Sequence, residues 1–534
     1  MTTEVDVVIV GSGPAGVSAA FPLADAGCRV MLIDGGTAVP ELLPAGDFLS
    51  LRTRDDTQWR WMIGRDFYAL RQLGASSPKF RAPTLSYVFS DFLSENDIST
   101  DHFIAVGSLA TGGLSNAWGC GVARFDASEL TAFPFSPDAL EPSYEQVARR
   151  IGISGNVNDD LSDYFGLDAW AQAPIDLDAE HLWLSRRYAD RKAAVQALGV
   201  RIGRSRLAVL SKGQGGRNAC NRSGMCLWGC REQALYSASQ EVSVLAGRPN
   251  VVWRPGVVIE ALEAADGLWA VRGHDRLTHQ PCRVRARKVL LAAGALASAR
   301  LVLKALQWQD RPVRLQSNPV AAFLLWLPAR LGSVRQQGVA LAQMSFTAEG
   351  LTDAGTVFGS LFSTFGLPVS EFVRYVPLAR RFGIDLLQGL MSSMVVANCF
   401  LPGGLSQHQM TLNGKGQLRI EGAFDPAMPG VLKQTERRLR QAFGRLGARL
   451  LPGGFVSGSP GSDVHYACTV PMKTEPSPNE AFPDGQVAGL PGVYVVDGSA
   501  LSSLPAKAHT LTIMANADRI GRIIARRFSG ERSN

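Results

Sequence analysis

The sequence predicts an α/β protein carrying an α+β substrate part, and three observations predict it. A β-branched strand near the N-terminus runs into a glycine-rich turn and an Ala-rich helix. A second buried strand, tight turn and helix recurs at residues 287–303, and a third strand, Gly492–Val496, ends on Asp497. Between the last two, the chain from 312 to 450 alternates polar and apolar residues more freely, as antiparallel strands do. The hairpin pattern is clearest in Gln409–Ile420, so a substrate-facing antiparallel sheet is expected in that region.

The first element reads Glu4-Val5-Asp6-Val7-Val8-Ile9-Val10-Gly11-Ser12-Gly13-Pro14-Ala15-Gly16. In this G-x-G-x-x-G unit Gly11 allows the tight turn and Gly13 lets the backbone approach a pyrophosphate. Gly16 lets the helix pack against the strand. A second strand, Arg29–Ile33, delivers Asp34 at the spacing expected for a ribose 2′-hydroxyl ligand. Strand, glycines, helix, strand and acid in this order predict a Rossmann-type site. An acid at 34 favours an unphosphorylated adenosine ribose, hence FAD or NAD over NADP.

Size and composition exclude several classes. With 534 residues the chain can bury a large core, and 46% hydrophobic against 19% charged residues is a globular composition. The net charge of +7 is spread out. Its densest groups, Arg437–Arg440 and Arg522–Arg527, read as solvated helix faces, so no nucleic-acid partner is expected. Eight cysteines in so long a chain do not make a disulfide framework. The longest uncharged stretch, Leu386 to Asp425, is interrupted by polar residues, Pro and Gly and is a poor membrane span. The apolar and basic run Phe372–Phe382 is compatible with peripheral membrane contact, or with a helix packed on its own domain. The dinucleotide strand follows Met1-Thr2-Thr3 directly, so no signal peptide is expected. A cytoplasmic location follows, or a periplasmic or membrane-associated one through a partner.

Three further regions carry chemistry. Gly107–Gly119 is too glycine-rich for a helix and reads as a loop approaching something flat or phosphorylated. Cys220, Cys226 and Cys230 fall within eleven residues. Soft thiolates at such spacing suit zinc or iron–sulfur. No fourth nearby ligand completes a zinc site, whereas three thiolates fit a three-iron cluster. The alternative is structural thiols, as read for Cys28, Cys120, Cys282, Cys399 and Cys468. Near the C-terminus, His465 and His509 flank the strand that ends on Asp497. Two imidazoles converging there would take a proton near neutral pH.

These pieces, in this order, resemble the glucose-methanol-choline (GMC) flavin oxidoreductases, in the sugar and alcohol dehydrogenase branch. Gly11–Gly16, the Gly112-Gly113-Leu114-Ser115-Asn116 loop, Ala292–Ala295 and the block with His465, Asp497 and His509 carry the resemblance. It implies an enzyme that oxidises a CH–OH, on a sugar or glycan-like substrate, to a carbonyl. His465 would be the base for the hydroxyl proton, His509 a hydrogen-bonding partner of the substrate oxygen, and flavin N5 the hydride acceptor. The implied cofactor residues are Gly11, Gly13, Pro14, Ala15, Gly16, Asp34, Gly35, Gly113, Ser115, Asn116, Val257, Ala293, Gly294, Asp497 and Thr510. Relatives that tether the flavin do so through a histidine about where Ala117 stands here, so non-covalent FAD is expected. The Cys220, Cys226 and Cys230 spacing is similar to that in bacterial FAD-dependent glucose and fructose dehydrogenases. There a [3Fe-4S] cluster passes electrons to a cytochrome partner.

The implied organisation is a discontinuous FAD-binding domain (1–40, 100–130, 205–310 and 455–534) interleaved with a substrate-binding cap (41–99, 131–204 and 311–454). Electrons are expected to go to a non-oxygen acceptor. Two alternatives stand beside this: an oxidase that reduces O2 to peroxide, and a flavoprotein electron-transfer subunit. The apolar stretches Val320–Leu327 and Phe358–Phe372 read either as a greasy entrance or as domain core.

Overall fold

In a computed structural model, which describes residues 3–36, 43–72, 77–373 and 378–533, the chain builds three sheets. The first is the cofactor sheet. Its parallel part runs Val251–Arg254, Val30–Ile33, Thr3–Val10, Pro281–Leu291 and Val493–Val495. Val30–Ile33, Val493–Val495 and residues 5–10 and 289–291 are buried on both faces, which is why these stretches are almost continuously Val, Ile and Leu rather than alternating. The hairpin Val257–Ala265 and Leu268–Asp275 extends this sheet antiparallel to Pro281–Leu291. Helices Pro14–Asp25 and Thr510–Ser533 pack against one another beside it. Gly521 makes their close approach possible: a Cβ there would sit 2.7 Å from the Ala19 carbonyl oxygen.

The second sheet is antiparallel, in the order Arg449–Leu450, Val320–Trp326, Met394–Phe400, Val357–Ser363, Ala342–Ala348 and Val200–Arg204. Its two faces follow from strand alternation. Ala321, Phe323 and Leu325, with Val395, Ala397 and Cys399, point into a core shared with helices Ala179–Gln196 and Met428–Arg445. Val320, Ala322 and Leu324, with Val396, Asn398 and Phe400, line the large cavity instead. One face of the Val320–Leu327 stretch is therefore domain core and the other lines the cavity.

The hairpin expected at Gln409–Ile420 forms as His408–Leu412 and Leu418–Glu421, with Met410 opposite Ile420. It belongs to a third, four-stranded sheet with Ile98–Asp101 and Val313–Leu315, not to the cavity-facing one. Expected in the cap, residues 141–153 instead pack in the cofactor core, through Tyr144, Val147, Ile151 and Ile153. Helix Glu141–Ile151 lies against Thr510–Ser533, where the Tyr144 hydroxyl meets the Thr512 hydroxyl at 2.8 Å.

Arg206 joins the strand Val200–Arg204 to the loop and short helices at 157–170. Its guanidinium is fully buried and bonds Asp168, Asp159, Ser162 and the Val157 carbonyl at 2.9–3.2 Å. Arg206→Met would strand those two carboxylates. A loss of about 3–5 kcal/mol in chemical denaturation is expected, the usual cost of breaking a buried ion pair on one side.

Of the run Phe372–Phe382, Arg374–Pro377 lie outside the described residues. Helix Arg380–Leu390 follows, with Phe382 and Leu386 exposed and Leu387 buried. Among the described residues no helix is long and apolar enough to cross a membrane.

Candidate active site

One cavity of about 1090 Å³ runs between the parallel sheet and the antiparallel one. Its cofactor end is built from backbone. Gly11 (φ +107°) carries the turn after the first strand, and a Cβ there would lie 2.2 Å from the Ala292 carbonyl oxygen. A Cβ on Gly16 would lie 1.9 Å from the Gly11 carbonyl oxygen, so strand, turn and helix are in direct contact. Gly13 differs: a Cβ there would meet nothing within 4 Å, and the residue lines the cavity. It precedes the helix Pro14–Asp25, whose N-terminus has no side-chain cap and no acid in its first turn. Free N–H groups at a helix start, beside an open cradle, fit a pyrophosphate.

Asp34 is buried, and burial raises its pKa against the opposing hydrogen bonds. It accepts from Ser12, Trp253 (3.1 Å), Thr111 (3.2 Å) and the Gly36 N–H (2.9 Å). Ser12 in turn accepts from the Gly112 N–H at 3.0 Å. The Gly107–Gly119 loop is thereby fastened on the first glycine turn, with Gly113 so near that its Cβ would be 3.4 Å from the Gly13 Cα. Ser115 and Asn116 hold the loop's own shape: Ser115 donates to the Gly112 carbonyl and accepts from the Ala238 N–H. Asn116 donates to the Thr111 and Gly113 carbonyls and accepts from Ser237.

Pro14, Ala15, Gly35, Gly113, Ser115, Val257, Ala293, Gly294, Asp497 and Thr510 all line the cavity; Asn116 does not. The Val257 N–H is spent on the Asp34 carbonyl. Asp497 ties two segments of the site together. Its carboxylate accepts from the Gly294 N–H (2.9 Å), Ser298 (2.6 Å) and the Ser499 N–H (3.0 Å).

At the other end the structure brings His465 and His509 together, ring centroids 4.7 Å apart and nearly perpendicular. The Asn318 amide Oδ1 lies 3.1 Å from His465 Nδ1. Asn318 Nδ2 donates to the Leu401 and Pro505 carbonyls, which fixes the amide's orientation. Nδ1 of His465 therefore carries the proton and donates it, leaving the Nε2 lone pair as the basic site. Asp463 accepts from both the Asn318 N–H (2.8 Å) and the His465 N–H (3.0 Å). Burial pushes this carboxyl up to about 7. Burial holds His509 down at about 4, and its buried Nδ1 has no partner among the described residues. An orphan of that kind is what a bound group satisfies.

Burial first, and the neighbouring His509 second, hold His465 well below the usual histidine value. The neutral, basic form is therefore present at neutral pH and disappears only as pH falls through that lowered value. The acid limb of a kcat/KM profile is expected to show no histidine-like fall near pH 6.5; a midpoint there would contradict this geometry.

Tyr466 and Asn516, both close to the site in sequence, turn to other tasks. The Tyr466 hydroxyl donates to the Ile104 and Gly461 carbonyl oxygens, and Asn516 pairs with Arg519. Asn318 escapes sequence reasoning altogether, since no motif surrounds it.

The three clustered thiols are free and half-buried. Cys120, read from sequence as an isolated core thiol, lies within electrostatic reach of Cys220, Cys226 and Cys230. The Gly107–Gly119 loop delivers it there from a hundred residues away. Among the described residues, however, no group of three or more His, Cys, Asp or Glu side chains is placed to hold a metal ion.

Known proteins similar to this chain are flavin enzymes and oxidases. Residues 454–517 match the family described as GMC oxidoreductase, and residues 5–49 match pyridine nucleotide-disulphide oxidoreductase. The 6'''-hydroxyparomomycin C oxidase of Streptomyces lividus is 26% identical, over 99% of this chain and 92% of that protein. The paromamine 6'-oxidase of Streptomyces fradiae is 25% identical, over 97% and 91%. Two variants of formate oxidase from Aspergillus oryzae RIB40 superpose with TM-scores of 0.64 and 0.65 at 13% identity, covering 99% of both chains. The likeness to these structures is one of fold. With the glycine cradle, the acid-tipped strands and the histidine pair, the chain is an FAD-dependent oxidoreductase similar to the GMC oxidoreductases.

Proposed function

We propose that the protein oxidises an alcohol carbon bearing a sugar-like hydroxyl to a carbonyl, with His465 as base and His509 as the second group on the substrate oxygen. The observation that carries this reading is the perpendicular imidazole pair, one ring locked by Asn318 into the tautomer that leaves Nε2 basic. Bound FAD supplies the hydride acceptor. The protein's own part is to hold the hydroxyl between two rings, take its proton at His465 Nε2 and exclude water from the carbon that is losing hydride. A base of such low proton affinity draws the proton only as the carbon–hydrogen bond breaks. The names of the Streptomyces relatives support a sugar-like substrate.

With Ala117 in place of a tethering histidine, FAD is bound without a covalent link. It is held by the Gly11–Gly16 turn, Asp34, the Gly107–Gly119 loop and the turn at Ala293–Gly294. Electrons leave to an acceptor other than oxygen, a cytochrome-type partner, and no step runs through the cysteines, which are not placed to hold a metal ion among the described residues. A second reading, transfer to O2 with peroxide as product, draws on the word oxidase in both relatives' names.

Anaerobic mixing with alcohols tests the reaction, and bleaching of the flavin is the expected result. Cytochrome reduction together with peroxide measurement on turnover tests the acceptor. Turnover that reduces a supplied cytochrome without forming peroxide supports the first route. Peroxide-forming turnover establishes the second.

A further inference from the structure

We infer that the alcohol taken by this site bears no ammonium group and carries an extended apolar arm, which lies along the cavity-facing side of the antiparallel sheet. The inference rests on the alcohol-oxidation reading and adds the substrate's shape and charge to it. Strand register sets out the cavity wall in three rows. Val320, Phe400 and Phe358 stand side by side in the first, and the Phe400 ring is 4.8 Å from the His465 ring. Ala322, Asn398 and Ser360 form the second, and Leu324, Val396 and Phe362 the third. All nine line the cavity.

Rows two residues apart along a strand are separated by about 7 Å, so the third is about 13 Å from the first. Beyond it the wall continues into the cap, where Leu324 and Val396 pack with Leu367 and Phe372. A chain of roughly eight to ten carbons fits that length. Asn398 and Ser360 allow one polar group about a row away from the reacting carbon; the other seven residues of the three rows are apolar.

The charge follows from the carboxylates. Among the described residues four line the cavity, and each already has internal partners. Asp34 and Asp497 belong to the cofactor end, and Asp463 binds the Asn318 and His465 backbone. Glu371, the one acid on the cap side, forms a two-point ion pair with Arg81, a buried residue. No carboxylate among these is left to receive a substrate ammonium. An amine such as paromamine, which names one of the relatives, therefore finds no counter-charge here.

The test compares alcohols that share a hydroxyl and differ only in the arm. Flavin reduction by methyl and n-octyl β-glucoside, by ethanol and 1-decanol, and by paromamine is followed anaerobically on the flavin-loaded protein. Each buried methylene strengthens transfer severalfold, so kcat/KM for the armed member of each pair is expected to exceed its partner by about 100-fold or more. Leu324→Asp in the third row is expected to cut that ratio at least tenfold. Phe362→Ser serves the same purpose if the first variant does not fold. Equal rates for armed and unarmed alcohols, or a preference for paromamine, would overturn the inference and leave alcohol oxidation standing. Failure of every alcohol to bleach a flavin that dithionite reduces would instead sink the oxidation reading itself.

Discussion

His465→Ala is expected to slow flavin reduction by an alcohol about 10²–10⁴-fold, the contribution of a positioned general base. FAD content should remain that of the parent protein, because His465 lies at the substrate end of the cavity and makes none of the contacts that shape the glycine turns. Asn318→Ala is the sharper companion. It leaves the imidazole present but removes the acceptor that holds Nδ1–H, freeing the ring to adopt the other tautomer. A loss of about 10–100-fold in kcat is expected, as when other histidine sites lose their orienting partner. Stopped-flow bleaching at a fixed alcohol concentration reads both. If His465→Ala reduced its flavin as fast as the parent, the base would have to be another group, and His509 would be the first to replace.

The second large effect is expected at Gly16. Its backbone angle needs no glycine, so the argument is one of space alone: a Cβ would fall 1.9 Å from the Gly11 carbonyl oxygen and 3.4 Å from the Ala292 Cβ. Backbone cannot retreat as a flexible side chain can. The helix would have to lift from the sheet, opening the turn that forms the pyrophosphate cradle. Gly16→Ala should lower stability by about 3 kcal/mol or more, beyond the usual cost of overpacking. It should also purify with little or no FAD. Absorbance at 450 nm per chain, with a denaturation curve, measures both, and full flavin occupancy would show that the helix does not need this contact. Gly13→Ala is the control for stability within the same motif, since a Cβ there meets no protein atom and only narrows the cradle.

The two variants separate what can be read along a chain from what cannot. The Gly11–Gly16 turn, the strand to Asp34 and the strand to Asp497 are local features whose residue types are dictated by backbone geometry and burial, so their spacing shows in the sequence. His465 and His509 were legible for a related reason: each stands in a short stretch with a recognisable pattern. Asn318 stood in no pattern, and its role exists only because Leu401 and Pro505 orient its amide 147 residues from His465. Cys120 likewise looked like an isolated thiol until the glycine loop folded it toward Cys220, Cys226 and Cys230. The hairpin at 408–421 was readable as a hairpin, but which sheet it joins depends on pairing with Ile98–Asp101 and Val313–Leu315, far away in the chain.

By itself, then, the sequence determined the fold class, the dinucleotide site and the identity of the two imidazoles, because short-range sterics and periodicity specify all three. Tertiary structure alone decided which histidine nitrogen is basic, which face of Val320–Trp326 lines the cavity and which carboxylates are already paired. Those properties depend on partners distant in the chain, where hydrogen-bond geometry and burial are set by packing and leave no trace in local spacing.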